Sequence, residues 1–388
     1  IPQLGLPWLA ASMGWREKAA CEKAGLAAAF PMSMTAALLR RAPGASRAKG
    51  AAARAEVPAL CAAHVALNTA GPIMLHWVKE RNGGWYPFSA AALTFHAYAA
   101  AVCIGLGWVA SQGAWRQLRR PRMAVRYGAL AVLFAGSDTL SVMSMQRLDP
   151  GTFSLVGKAL AMVLTVALSR VVLARQQSQV QYGLVAAIVL STLAFCQAEA
   201  RAHRAPAAAG ATGRAHGEGA HSPHGESAPD AARWALALAQ RVAAVALSSL
   251  AAVLQELLLA TEAGVPFMVQ QSWMGSGALA TTFITWRCLH GLPVARLFDG
   301  FGDGVVLLLL ALYTMNGLMA GLMVKRLGAV AKALCVPIHL GGCYLYAAAA
   351  GTAALEPQAL AAWAASSGLV VAFGLSKATA GGRRTPKE

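Results

Sequence analysis

Acidic residues are scarce. Asp and Glu number 16 among 388 residues, against 33 Lys and Arg, and charged residues make up only 13% of the chain. So little charge cannot coat a soluble domain of this size. Aromatics are also few, at 7%. No basic stripe is interleaved with them, so the formal net charge of +17 does not read as a nucleic-acid footprint. The cysteines Cys21, Cys61, Cys103, Cys196, Cys288, Cys335 and Cys343 are scattered without a CxxC pair, which gives neither a disulfide framework nor a zinc signature. There is no glycine-rich phosphate loop, no nucleophile elbow and no paired carboxylate motif. Catalysis and a cofactor are therefore not expected. His64, His76, His96 and His339 read as isolated, with no His–acid pair at i, i+4. His203, His216, His221 and His224 are spread through low-complexity sequence without ligand spacing, so no metal site is expected either.

What the chain has instead is long apolar sequence. Hydrophobic residues make up 57%, the mean hydropathy is +0.51, and residues 304–324 and 360–375 carry no charge. A run of about 20 apolar residues crosses a bilayer as a helix. Every backbone polar group must be satisfied within such a span, which favours helix. Nothing shows the dyad alternation of a membrane barrel. The expected fold is an all-α polytopic membrane protein with ten transmembrane helices, over 57–78, 90–110, 124–145, 151–173, 180–198, 234–260, 266–286, 304–324, 327–349 and 358–375.

The flanking segments follow from composition. Residues 1–56 are Ala- and Arg-rich and read as a disordered cytosolic tail, with a targeting leader as the alternative. Residues 199–233, rich in Ala, Gly, Ser, Pro and His, read as a flexible luminal loop. Residues 377–388 form a basic cytosolic tail. Positive charge gathers at Arg40, Arg41, Arg47, Lys49 and Arg54, at Arg116, Arg119, Arg120, Arg122 and Arg126, at Arg170 and Arg175, at Lys325 and Arg326, and at Lys377, Arg383, Arg384 and Lys387. Ten spans put all of these on one side, with both termini cytosolic. The loop divides the chain into five-span halves, 57–198 and 234–376. An odd number of spans per half makes the halves run in opposite senses, as two inverted repeats with substrate near the midplane.

Two lysines stand out. Lys158 and Lys332 each lie inside an apolar span, early in the fourth and in its counterpart, the ninth. Charge at membrane depth is costly, and it marks a functional position by default. A lysine offers a compact cation with three donors, suited to phosphate oxygens, so the pair is expected to clamp an incoming phosphate. The competing reading is snorkelling of both stems to the interface. Asp138, within Ser137-Asp138-Thr139, is left open between partnering a lysine, binding a proton, bonding a base or ribose, and a helix–helix contact. Glu256 reads as a solvated end residue. Gln270 and Gln271 suit either the edge of a base or packing between helices. Asn316-Gly317 suits close backbone approach.

In order and spacing, several segments resemble the nucleotide-sugar transporter family of the drug/metabolite transporter superfamily. Leu148-Asp149-Pro150-Gly151-Thr152-Phe153 resembles its LDPATY-type segment. Val324-Lys325 followed by Lys332 is similar to its VKYADNILK segment, preceded by Asn316-Gly317-Leu318. Val253–Leu258 is similar to its YTEKLL segment. Trp77-Val78-Lys79-Glu80-Arg81 and Tyr86-Pro87 resemble its first luminal loop. The resemblance covers residues 57–375. It implies a ten-helix antiporter of the Golgi or ER membrane, with a nucleotide sugar and a nucleoside monophosphate as partners. It also implies a phosphate contact at Lys332, with Ser137-Asp138-Thr139 and Gln270-Gln271 near the nucleotide. The chain departs from the family in the second span, where Tyr98 and Ala101 replace a Glu and a Lys, and in the third, which lacks asparagines. Lys158 sits about two residues ahead of the family's lysine, nearly half a helical turn. The alternatives are another organic-phosphate or solute transporter of the superfamily and a non-transporting scaffold with a decayed site. Oligomeric state is left open, a homodimer included.

Overall fold

The computed structural model describes residues 49–381, apart from 84, 146, 147, 149, 176, 212–227, 291, 292 and 352. Among these the regular elements are all helices, with no strand. The elements are α1 (Lys49–Arg81), α2 (Ala90–Ser111), a short α3 (Trp115–Leu118), α4 (Pro121–Met145), α5 (Pro150–Val172), α6 (Gln179–Ala211), α7 (Ala228–Thr261), α8 (Phe267–His290), a 3-10 turn (Val294–Phe298), α9 (Gly304–Leu327), α10 (Ala329–Leu334), α11 (Val336–Ala349) and α12 (Pro357–Gly381). Each of the ten expected apolar runs falls on helix. Among the described residues six stretches are long and apolar enough to cross a membrane: Val57–Arg81, Ala91–Ser111, Gln179–Glu199, Ala232–Thr261, Gly304–Leu327 and Ala329–Ala349. Helix also extends into the expected 199–233 loop, to Ala211 at one end and from Ala228 at the other. His216, His221 and His224 lie outside the described residues, as do most of the 1–56 and 377–388 tails.

Polar side chains set the helix ends. The Ser89 hydroxyl accepts from the Ala92 amide at 3.1 Å and starts α2. Asp303 accepts from the Val305 amide at 2.9 Å and starts α9. Ser178 and Gln181 bond reciprocally at the start of α6, at 3.2 and 3.0 Å, as a capping box does. Gly328, at φ +91°, ends α9 with a conformation that L side chains rarely adopt.

The chain forms two compact units, one drawn from Ile1–Val132 with Leu258–Gly328, the other from Leu133–Leu257 with Ala329–Glu388. Each draws on sequence from both sides of the 212–227 segment. In the first unit α8 packs on α2, and α9 on α1 and α2. Small residues make the seams. A Cβ on Gly105 would collide with the Ser272 hydroxyl, and one on Gly275 would come within 2.9 Å of Val102. Gly277 faces the Gly128 backbone, where an added Cβ would lie 2.9 Å from Cα. Backbone cannot yield as a flexible side chain does, so Gly277→Val is expected to cost about 1–3 kcal/mol. Thermal unfolding of the purified variant checks this, and an unchanged melting temperature would contradict the close crossing.

In the second unit α12 packs along α6, α6 along α5, and α10 against α5. One apolar cluster joins Met162, Val166, Val185, Ile188, Val330, Leu334 and Phe373. Another joins Phe195, Leu340, Tyr344 and Ala359. The Tyr344 hydroxyl donates to the Ala354 carbonyl at 2.8 Å and accepts from the Glu356 amide at 2.7 Å, fixing the turn between α11 and α12.

The expected ninth span is interrupted. It breaks at Cys335 into α10 and α11. Pro337 causes this: it has no N–H to return to the Ala333 carbonyl, and its ring crowds that turn. The Cys335 amide bonds the Lys332 carbonyl at 3.2 Å, a tightened three-residue turn. Lys332 therefore sits in a short helical piece just ahead of a break.

Candidate functional site

Both lysines fall in the second unit, Lys158 on α5 and Lys332 on α10. Each is deep among protein atoms yet keeps part of its surface accessible. The Lys158 ammonium donates to His339 Nε2 at 3.3 Å. His339 lies on α11 and is buried. Glu199, Cys196, Cys343 and Arg241 are the other groups that Lys158 feels electrostatically.

Lys332 lies within electrostatic reach of Asp138. Asp138 itself is exposed. Beside it the Ser137 hydroxyl donates to the Ala244 carbonyl at 2.8 Å, tying α4 to α7. The Thr139 hydroxyl donates to Ala135 in its own helix at 2.8 Å.

The remaining expected site residues belong to the first unit. Gln270 is buried, and both ends of its amide are occupied: it donates to the Glu262 carbonyl at 3.0 Å and accepts from the Lys325 ammonium at 3.0 Å. Lys325 also donates to the Val265 carbonyl at 3.2 Å. Of the two readings of Gln270, packing is the one the bonds support. Gln271 is buried against Gly321, where a Cβ would lie 2.6 Å from its amide nitrogen. Asn316 exchanges amide bonds with Asn68 at 2.9 and 3.4 Å. The Asn68 amide also bonds the His64 carbonyl at 2.8 Å, and Pro72 leaves the Asn68 carbonyl without its usual helical donor. Asn68 and His64 carry no signal in sequence beyond being polar in an apolar run.

Three expectations are corrected. Nothing lies within 4 Å of a Cβ placed on Gly317, so it makes no close helix crossing; Gly321, one turn later, does. Glu256 is not solvated but 7% exposed. It accepts from the Ala329 amide at 2.7 Å and pairs with Arg175 at 2.8 Å. A carboxylate there caps α10, where four amides lack intrahelical partners. Glu256→Ala is expected to lower stability by about 1–3 kcal/mol, mostly through the orphaned amide, since Arg175 is half-exposed and solvent screens that pair. A melting curve checks this, and wild-type stability would show that α10 needs no cap. Lastly, His76 and Glu80 do form an i, i+4 pair, at 3.2 Å, on an exposed face. Among the described residues no group of three or more His, Cys, Asp or Glu gathers as a metal site.

The residue that sequence reading misses is Arg241 on α7, 9% exposed. Its guanidinium stacks on the Phe153 ring with 3.6 Å to the centroid. Nε donates to the Phe153 carbonyl at 3.2 Å and Nη1 to the Ser141 hydroxyl at 3.0 Å. Nη2 lies directly over Gly157, where no side chain larger than hydrogen fits.

Fold and site together define a helical protein with several membrane-length apolar helices and with Lys158, Arg241 and Lys332 in one compact unit. No protein-family model matches the chain, and no curated protein matches it. Among solved structures it is similar to one described only as "Crystal structure of protein", at TM-score 0.47 and 19% identity, covering 80% of this chain and 96% of that one.

Proposed function

We propose that the chain is a nucleotide-sugar antiporter with ten spans arranged as inverted repeats, resident in the Golgi or ER membrane with both termini cytosolic. It exchanges cytosolic nucleotide sugar for luminal nucleoside monophosphate by alternating access. No bond is made or broken; the work is recognition of a phosphate and its release. The observation that carries this reading is that Lys158 and Lys332, one from each half of the sequence, fall in a single compact unit on helices that pack against each other. The interrupted helix beside Lys332 supports it, since broken helices line substrate sites in many secondary transporters. The resemblance of the segments around 148–153 and 324–332 to the nucleotide-sugar family narrows the cargo. Another organic phosphate would use the same cations, and competition distinguishes the two.

The test is exchange in proteoliposomes. Uptake of a labelled nucleotide sugar is expected to require a nucleoside monophosphate inside and to be competed by that monophosphate outside. Uptake driven equally well by simple organic phosphates would favour the broader cargo. No exchange with any of them would refute the transporter reading.

A further inference from the structure

Arg241 has a geometry that packing alone does not explain. Three of its interactions fix the guanidinium: the Phe153 ring, the Phe153 carbonyl and the Ser141 hydroxyl. Among the described residues no carboxylate forms an ion pair with it, and Nη2 has no hydrogen-bond acceptor. That nitrogen is instead laid over Gly157, the neighbour in sequence of Lys158. Arg241 and Lys158 lie within electrostatic reach of each other, so two like charges are held together in apolar surroundings. Among the described residues Glu199 is the carboxylate that acts on Lys158, so the described charged groups of this cluster are two cations, Lys158 and Arg241, and one anion.

Burying a cation without an anion is costly, and proteins keep such an arrangement where an anion arrives. An arginine held flat by an aromatic ring and two acceptors presents its remaining edge in a fixed direction, the preorganised form of an oxyanion receptor. We infer that Arg241 and Lys158 together form the phosphate-binding subsite of this protein, taking a phosphate monoester or diphosphate, with Gly157 left bare so that the guanidinium can reach it. The assignment rests on the transporter reading only for the identity of the cargo. It makes Arg241 a direct ligand and moves the phosphate from a Lys158–Lys332 clamp toward α7.

The experiment measures binding to the full chain in lipid nanodiscs by calorimetry, with pyrophosphate, uridine monophosphate and uridine as probes. Arg241→Lys keeps the charge but loses the planar fork. It is expected to weaken both phosphate-bearing probes about tenfold or more while the melting temperature stays near that of the native protein. Unchanged affinity with a lowered melting temperature would make Arg241 a structural strut and overturn the inference. Should Arg241→Lys fail to fold, Ser141→Ala decides. It removes one tether of the guanidinium and is expected to weaken the same probes several-fold, and native affinity would overturn the inference. Exchange assays separate this from the transporter reading. Arg241-dependent phosphate binding without nucleotide exchange sinks the antiporter and leaves the subsite standing. Native nucleotide binding and exchange in Arg241→Lys do the reverse.

Discussion

Replacing Lys158 with methionine is expected to abolish exchange while leaving the melting temperature unchanged or higher. The two effects have one cause. Among the described residues the ammonium has a single hydrogen bond, to His339, and sits deep in the second unit. Desolvating a cation with so little compensation costs several kcal/mol, and an apolar residue of similar volume is often neutral or stabilising in such a place. Methionine fills the same space and adapts to it. If the lysine is retained for a phosphate, its loss removes a charge-assisted contact worth about 3 kcal/mol, or roughly a hundredfold in affinity. Transport and thermal unfolding of the same preparation check both halves. Loss of stability together with retained exchange would show that Lys158 holds the fold and nothing more.

Lys332 is expected to respond in a similar way. Asp138, the acid that acts on it, is exposed, so solvent screens that interaction and its loss costs at most about 1 kcal/mol. In Lys332→Met exchange should fall to background while the melting temperature changes little. Asp138→Asn is expected to leave the melting temperature near that of the native protein. A large loss of stability in Lys332→Met would mean that the lysine holds the fold, and native exchange would mean that it makes no contact with the cargo.

How much of this could be read from the sequence depends on the kind of signal. The helices were legible because apolar length alone dictates them in a bilayer. Lys158 and Lys332 were legible because a single charge in an apolar run is conspicuous. That they share one unit was not, since this depends on α10 packing against α5 from the far side of the 212–227 segment. Arg241 lies seven residues inside the expected 234–260 span, following Arg233, and looks like an end residue that snorkels. Only its meeting with Phe153 and Gly157 reveals a held guanidinium. Glu256 misled for the same reason. Near the end of a span it looks solvated until α10 is seen to begin at its carboxylate. Gly317 and Gly321 are equivalent as letters, and only the position of α8 decides which of them faces Gln271. Pro337 was a readable signal for the break after Lys332, but the apolar run through it masks the interruption.

The most direct test is thermal stabilisation of the purified native protein by nucleoside monophosphates, nucleoside diphosphates and the matching uncharged nucleosides, repeated on Lys158→Met. A site built on buried cations should be stabilised by the phosphate-bearing compounds, by about 2.7 kcal/mol at a hundred times the dissociation constant, and the response should vanish in Lys158→Met. Equal stabilisation by the nucleosides, or a response that survives the methionine substitution, would contradict a phosphate site at these cations.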